Sequence, residues 1–305
     1  MKDGRGLLGA TAGAADKRAA LRAGLNSGRL LRLPGAFSPL VAKVVAEVGF
    51  EGVYVSGAAV SADLGLPDIG LTTLTEVASH GAQIADLPTL IDADTGFGEP
   101  LNAARTVTIL EDAGLAGCHL EDQVSPKRCG HLDGKAVVST DDMVKRVRGA
   151  VSARRDPNFI ICVRTDAAGI EGVPAAIDRA KAYADAGADL IFTEALTEPA
   201  DFERFRAAVD TPLLANMTEF GKTPLLSVSQ LTDVGYNVVI YPVTMLRLAM
   251  FAVEAGLRET DSAGTQSGLL DRMQRRSRLY ELLRYADYSQ FDDEIFNFTL
   301  EGPSQ

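Results

Sequence analysis

The chain has 305 residues, 46% of them hydrophobic and 23% charged, which excludes wholesale disorder and fits one large α/β domain with extra helices. A formal net charge of −11 and a pI of about 4.8 exclude a general nucleic-acid binder. The three cysteines Cys118, Cys129 and Cys162 make no disulfide framework, residues 1–15 lack the apolar core of a secretion signal, and no run reaches the roughly 18 apolar residues of a membrane span, so a cytoplasmic protein without a membrane partner is expected.

In chain order, the sequence predicts a helix over 14–25 and then short β-rich runs at 30–33, 52–56, 89–94, 117–121, 159–164, 190–194, 213–216 and 238–241. Amphipathic segments separate them, such as 175–186 with Ile177, Ala180, Lys181 and Ala184 at helical spacing. Gly49, Gly114, Gly187 and Gly235 stand where helices should end, a common C-cap position. Eight strand–helix units in alternation predict a parallel sheet, and the count of eight favours a closed (β/α)₈ TIM-type barrel over the alternative, a doubly wound open sheet. The expected organisation is one barrel domain over 1–305, with a flexible start at 1–12 and a helical C-terminal extension at 264–296. That extension carries an apolar set (Leu269, Leu270, Met273, Leu279, Leu282, Leu283) that a neighbouring subunit would cover.

Barrel chemistry sits at the C-terminal ends of strands. Here those ends carry Ser56 and Gly57, Asp92 and Asp94, His119 and Glu121, Arg164 and Asp166, Glu194, and Asn216 and Thr218, with Arg247 soon after the eighth strand. Strand alternation puts Asp92 and Asp94 on one face, and His119 and Glu121 on one face of the next strand. Three convergent carboxylates repel unless they are protonated or neutralised by a hard cation, and an all-oxygen set suits Mg²⁺ or Mn²⁺. The plainer alternative is solvated carboxylates bound to helix N-termini. Cys118, His119, Cys129 and His131 lack the spacing of a zinc site.

The loop after the fourth strand reads Lys127–Arg128–Cys129–Gly130–His131. Two fixed positive charges and a histidine around one thiol favour thiolate, which makes Cys129 a candidate proton donor or acceptor. The alternative is a basic solvated loop with an incidental cysteine. Cys118 and Cys162 lie in apolar strands and read as packing residues. No phosphate-cradling or dinucleotide motif is present.

Together with Asp92–Ala93–Asp94, with 119–123 and with 216–221, the Lys-Arg-Cys-Gly-His run resembles the isocitrate lyase/phosphoenolpyruvate mutase superfamily, over about 33–296. The resemblance implies Mg²⁺-dependent cleavage of 2-methylisocitrate to pyruvate and succinate in propionate breakdown by the methylcitrate cycle, with Mn²⁺ as a substitute. Matched motif by motif, Asp92 and Asp94 hold the metal, with Glu121 nearby through water, and Cys129 donates a proton. Ser56, Gly57, Ala58, Gly130, Arg164 and Glu194 bind the substrate, as do Asn216, Met217, Thr218, Arg247 and Arg276. The base is left open between Tyr54 and a metal-bound hydroxide. The family usually reads Ser-Gly-Gly where this chain has Ser56–Gly57–Ala58, so a methyl is added beside the substrate site. The resemblance also implies a homotetramer that exchanges its C-terminal helices. The alternatives are a related lyase for 2,3-dimethylmalate, isocitrate or an oxaloacetate-like acid, phosphonopyruvate chemistry, and a non-catalytic binding barrel.

Overall fold

The computed structural model describes Leu7 and residues 12–128, 130–131 and 134–296. Eight parallel strands lie within the described residues: β1 (Leu31–Pro34), β2 (Val53–Val55), β3 (Thr89–Asp92), β4 (Gly117–Glu121), β5 (Ile160–Thr165), β6 (Leu190–Thr193), β7 (Leu213–Asn216) and β8 (Val238–Tyr241). Their order is β1-β8-β7-β6-β5-β4-β3-β2. A parallel bridge between Gly35 and Tyr54 joins the two ends of that order and closes the barrel. The expected flexible start, 1–12, falls almost wholly outside the described residues.

The strands sort their side chains by alternation. Val55, Ile91, Cys118, Ile161, Ile191 and Val239 face outward into the layer beneath the helices. Leu31, Leu33, Leu90, Ile160, Leu190 and Val238 face inward, where Leu21 and Leu25 of the helix Ala14–Leu25 pack with them at the strand N-termini. Burying each such leucine contributes roughly 1.5–3 kcal/mol. The interior is therefore apolar at its base, and the polar residues are left to the strand C-termini.

Local chemistry sets the helix ends. Ser38 caps Pro39–Val48 by accepting from the Val41 N–H, and Gly49 ends it in the left-handed region at φ 91°. Thr73 and Glu76 form a reciprocal capping box at the start of Leu74–Ile84. The second strand–helix unit holds an additional short helix, Gly57–Asp63, that places Gly57 at the barrel mouth. The sequence carries little sign of it, since its seven residues are mostly Gly, Ala and Ser with no apolar stripe.

The chain divides into two compact units, Ala12–Ala249 and the segment from Met250 onward together with the first residues, and the division falls within the helix Thr244–Ala263. Beyond that helix the second unit contains a 3₁₀ segment, Ser267–Arg272, and the helices Arg276–Leu282 and Tyr285–Phe296. The rings of Tyr280 and Tyr285 stack at 4.8 Å where these last two helices meet. Among the described residues no helix is long and apolar enough to cross a membrane.

Candidate active site

Strand register assembles the mouth of the barrel. Asp92 is aligned with His119 across β3 and β4, and Glu121 with Arg164 across β4 and β5. Asp92 accepts from the Gly57 N–H at 3.1 Å and from the Asp94 N–H at 2.9 Å, and His119 Nε2 lies 3.3 Å from it. Burial alone would raise the Asp92 carboxyl, but His119, Lys127 and Arg164 outweigh it and hold it below the usual carboxylate range. Asp94 sits at φ 45°, an uncommon place for a residue with a side chain, and turns back toward Asp92. Burial and then the Asp92 charge push its carboxyl up, against Lys127, whose ammonium lies 2.9 Å from Asp94 Oδ1 and also binds Asp68.

Glu121 is fully buried, and among the described residues neither of its oxygens has a hydrogen-bond partner; Arg164 is within ion-pair reach at 3.4 Å. Burial pushes its carboxyl well up, and Arg164 and Lys127 only partly offset this. A buried carboxylate without donors costs several kcal/mol, on the order of the penalty for an unpaired buried ion. The unpartnered Glu121 oxygens on β4, beside the Asp92 and Asp94 carboxylates at the end of β3, fit a hard cation. Among the described residues no three His, Cys, Asp or Glu side chains converge as a closed ligand cage. Mg²⁺ does not require one, because it commonly takes one or two carboxylates and retains water.

Arg164 is the hub of the other half. Its Nε and one Nη form a fork on Asp166 at 2.9 and 3.0 Å, and its other Nη reaches Glu194 at 3.2 Å. The Phe192 ring lies 5.2 Å from the guanidinium carbon. Burial would raise the Glu194 carboxyl, but Arg164 with His131 and Lys135 holds it well below its ordinary range. His131 Nδ1 accepts from the Lys222 N–H at 3.0 Å, so the ring proton is assigned to Nε2, which faces Glu194 at 2.9 Å. Asn216 donates to Glu194 at 3.4 Å.

The structure brings together Gly57, Asp92, Asp94, Glu121, Gly130, Arg164, Glu194 and Asn216. Ser56 is buried at the N-terminus of Gly57–Asp63, Ala58 is half-buried two residues on, and Thr218 is buried beyond β7. Met217 turns the other way: it is buried in the layer beneath the helices, and its sulfur accepts from the Leu226 N–H. Arg247 is exposed and pairs with Glu219, with the Phe220 ring 5.2 Å from its guanidinium. Arg276 belongs to the second unit, where it is exposed. Cys129 lies outside the described residues. Cys118 and Cys162 are buried, and burial pushes both thiols up, as packing residues require.

Tyr54 bonds His119 Nε2 at 2.7 Å, and burial followed by the Asp92 charge pushes its phenol well above the usual range.

Sequence reasoning missed Asp68 and Lys135, and it noted Gln123 only within a motif. The Gln123 amide clamps the backbone of Arg128 at both its N–H and its carbonyl, at 2.9 and 2.8 Å. Lys135 binds the Gly130 carbonyl and Asp166. Asp94 and Lys127 also line a cavity of about 470 Å³ with Thr72, Thr95, Asn102 and Arg105.

Comparison with known proteins places residues 21–260 in a family described as phosphoenolpyruvate phosphomutase. A protein of Corynebacterium glutamicum named probable 2-methylisocitrate lyase 2 is 65% identical over 300 residues, covering 97% of this chain and 98% of the relative. The 2-methylisocitrate lyase of Aeropyrum pernix is 49% identical, with 86% and 85% covered. The crystal structure of 2,3-dimethylmalate lyase, a member of the PEP mutase/isocitrate lyase superfamily, superposes with a TM-score of 0.86 at 31% identity, over 97% of this chain and 99% of that one.

Proposed function

The chain belongs to the phosphoenolpyruvate phosphomutase family, and we propose that within it this chain is a carbon–carbon lyase that cleaves 2-methylisocitrate to pyruvate and succinate. One observation in the structure carries the reading: a single barrel mouth sets Glu121, a buried carboxyl whose two oxygens accept no hydrogen bond among the described residues, between the Asp92–Asp94 pair and a buried guanidinium. Asp92 and Asp94 would hold Mg²⁺, or Mn²⁺ in its place, with Glu121 nearby through water. When bound, the ion would supply Lewis-acid polarisation of the substrate hydroxyl and its neighbouring carboxylate.

The chain's own groups do the rest. Arg164, its fork held by Asp166, turns its remaining guanidinium nitrogen to a substrate carboxylate, with Arg247 and Arg276 as further cations for a tricarboxylate. The Gly57 and Gly130 backbones lie close to the charged cluster because neither carries a Cβ. A base takes the hydroxyl proton, the oxygen's electrons form the keto group of pyruvate as the carbon–carbon bond breaks, the pair of that bond passes to the succinate carbon, and Cys129 protonates that carbon. The same reading carries a place in the methylcitrate cycle of propionate catabolism, a homotetramer with exchanged C-terminal helices, and a cytoplasmic location, the last resting on an odd, sparse set of cysteines.

A second reading, a lyase for 2,3-dimethylmalate, is favoured by the superposition on that enzyme. The test is to strip the protein with EDTA, restore Mg²⁺ and follow keto-acid release from 2-methylisocitrate, isocitrate and 2,3-dimethylmalate side by side. Mg²⁺-dependent pyruvate release from 2-methylisocitrate, faster than release from the other two, is the expected outcome. Faster turnover of 2,3-dimethylmalate would transfer the assignment to the second reading, and metal-independent turnover would remove the metal site.

A further inference from the structure

Arg164 has more anions around it than one cation can serve. Asp166 takes two of its nitrogens in a fork, while Glu121 and Glu194 stand at 3.4 and 3.2 Å from a third. All four side chains are buried, so solvent screens little of this. A guanidinium held by Asp166 and Glu194, with Glu121 beside it, has little attraction left for a further carboxylate, the one a substrate would bring.

The structure contains a counterweight. The Lys135 ammonium is buried, with its side chain only 5% exposed, and lies 2.9 Å from Asp166 Oδ1. That is the oxygen that also accepts from Arg164. A second ammonium hydrogen goes to the carbonyl of Gly130. Gly130 in turn packs so closely that a Cβ there would lie 2.3 Å from an Arg164 nitrogen and 2.7 Å from the Glu194 carboxyl carbon. Lys135 thus touches both supports of the guanidinium, the carboxylate that orients it and the backbone that abuts it. Glu194 has its own second donors in His131 and Asn216, but among the interactions described Asp166 depends on Lys135 for a second cation.

We infer that Lys135 is a positioning residue for substrate binding: by sharing Asp166 it leaves the Arg164 guanidinium aimed into the mouth and electrically free to receive a carboxylate. The inference rests on the proposed role of Arg164 as a carboxylate site. It adds that this role depends on a lysine that contacts no substrate and acts through Asp166. Lysine suits the task, since a compact ammonium can bond a carboxylate and a carbonyl at once without competing for the planar fork that Arg164 makes.

The test is a cycle of Lys135→Met, Asp166→Asn and the double variant, each read by succinate binding in calorimetry and by KM and kcat of the metal-loaded full chain. Lys135→Met should weaken succinate binding and raise KM about tenfold, with kcat changed less, as expected for loss of one charge-assisted contact. Once Asp166 is neutral Lys135 should no longer matter, so the double variant should match Asp166→Asn within about twofold. Lys135→Arg, which retains a cation, should remain nearer to wild type than Lys135→Met. A merely structural lysine would instead lower the folded fraction and leave succinate affinity and KM unchanged. Unchanged affinity in Lys135→Met overturns the inference, and so does a double variant weaker than Asp166→Asn by the full factor of the single change. If Lys135→Met does not fold, the comparison of Asp166→Asn with the double variant decides alone, because neither leaves a buried carboxylate unpaired. A folded wild type that does not bind succinate removes the carboxylate role of Arg164, and this inference falls with it.

Discussion

Gly130 has room for a hydrogen and for nothing larger. The atoms that a methyl there would meet are an Arg164 nitrogen at 2.3 Å and the Glu194 carboxyl carbon at 2.7 Å, both at the ends of side chains. Such atoms can move, so Gly130→Ala should spare the fold and displace the site. We expect unfolding free energy within about 1 kcal/mol of wild type and kcat/KM lower by about 10²-fold, the usual consequence of misplacing a binding group by an ångström or so. Denaturant titration and steady-state kinetics on one preparation check both halves; full activity would show that Arg164 need not sit where it does. Gly57 obeys the same logic beside the carboxylates, where a Cβ would lie 2.8 Å from Asp92 Oδ2. The two glycines frame the cluster because the backbone itself, rather than a side chain, must come close to charge.

The seam that closes the barrel runs through Gly35. Its N–H donates to the Tyr241 carbonyl at 2.9 Å, the next N–H, that of Ala36, donates to Tyr54, and the residue bridges β1 to β2. A Cβ at Gly35 would stand 2.0 Å from the Pro242 carbonyl oxygen and 2.8 Å from that of Tyr241. Those are backbone atoms held in the sheet, and they cannot swing aside. Gly35→Ala should therefore destabilise the barrel by about 3 kcal/mol, the upper range for overpacking; a change below about 1 kcal/mol in denaturant unfolding would mean the seam opens freely. The eight strands were legible in the sequence because each is a short apolar run with a polar end, and the observed bounds differ from the expected ones by at most two residues. The carboxylates and Arg164 were legible for the same reason, since alternation fixes which face a strand residue takes. Lys135 and Asp68 were not legible. Their partners Asp166 and Lys127 are 31 and 59 residues away, and only the folded loops bring them together. Met217 shows the converse, because alternation with Asn216 and Thr218 points to the outward, buried side chain that the structure shows.

At the scale of the whole molecule, an acidic chain is proposed to take a polyanion. The net charge of −11 is spread over a surface that salt screens within about 10 Å, whereas Arg164, Lys127 and Lys135 are buried and screened little. Local buried cations can therefore decide binding against the sign of the whole. The apolar surface of the long helix Thr244–Ala263 raises a different question. Met250, Val253 and Leu257 recur at helical spacing on one face, all exposed, with Phe251 beside them at 77% exposure. Such a stripe is rarely left bare to water, and a second copy of the chain is the partner that the proposed tetramer supplies. Light scattering should then give a mass that is a multiple of 32.3 kDa. Phe251→Asp combined with Leu257→Asp should lower that multiple without loss of helix content, because each change places a charge on a face that must be dry when paired. A wild-type mass of one chain, or an unchanged multiple in the double variant, would show that this stripe is not what holds copies together.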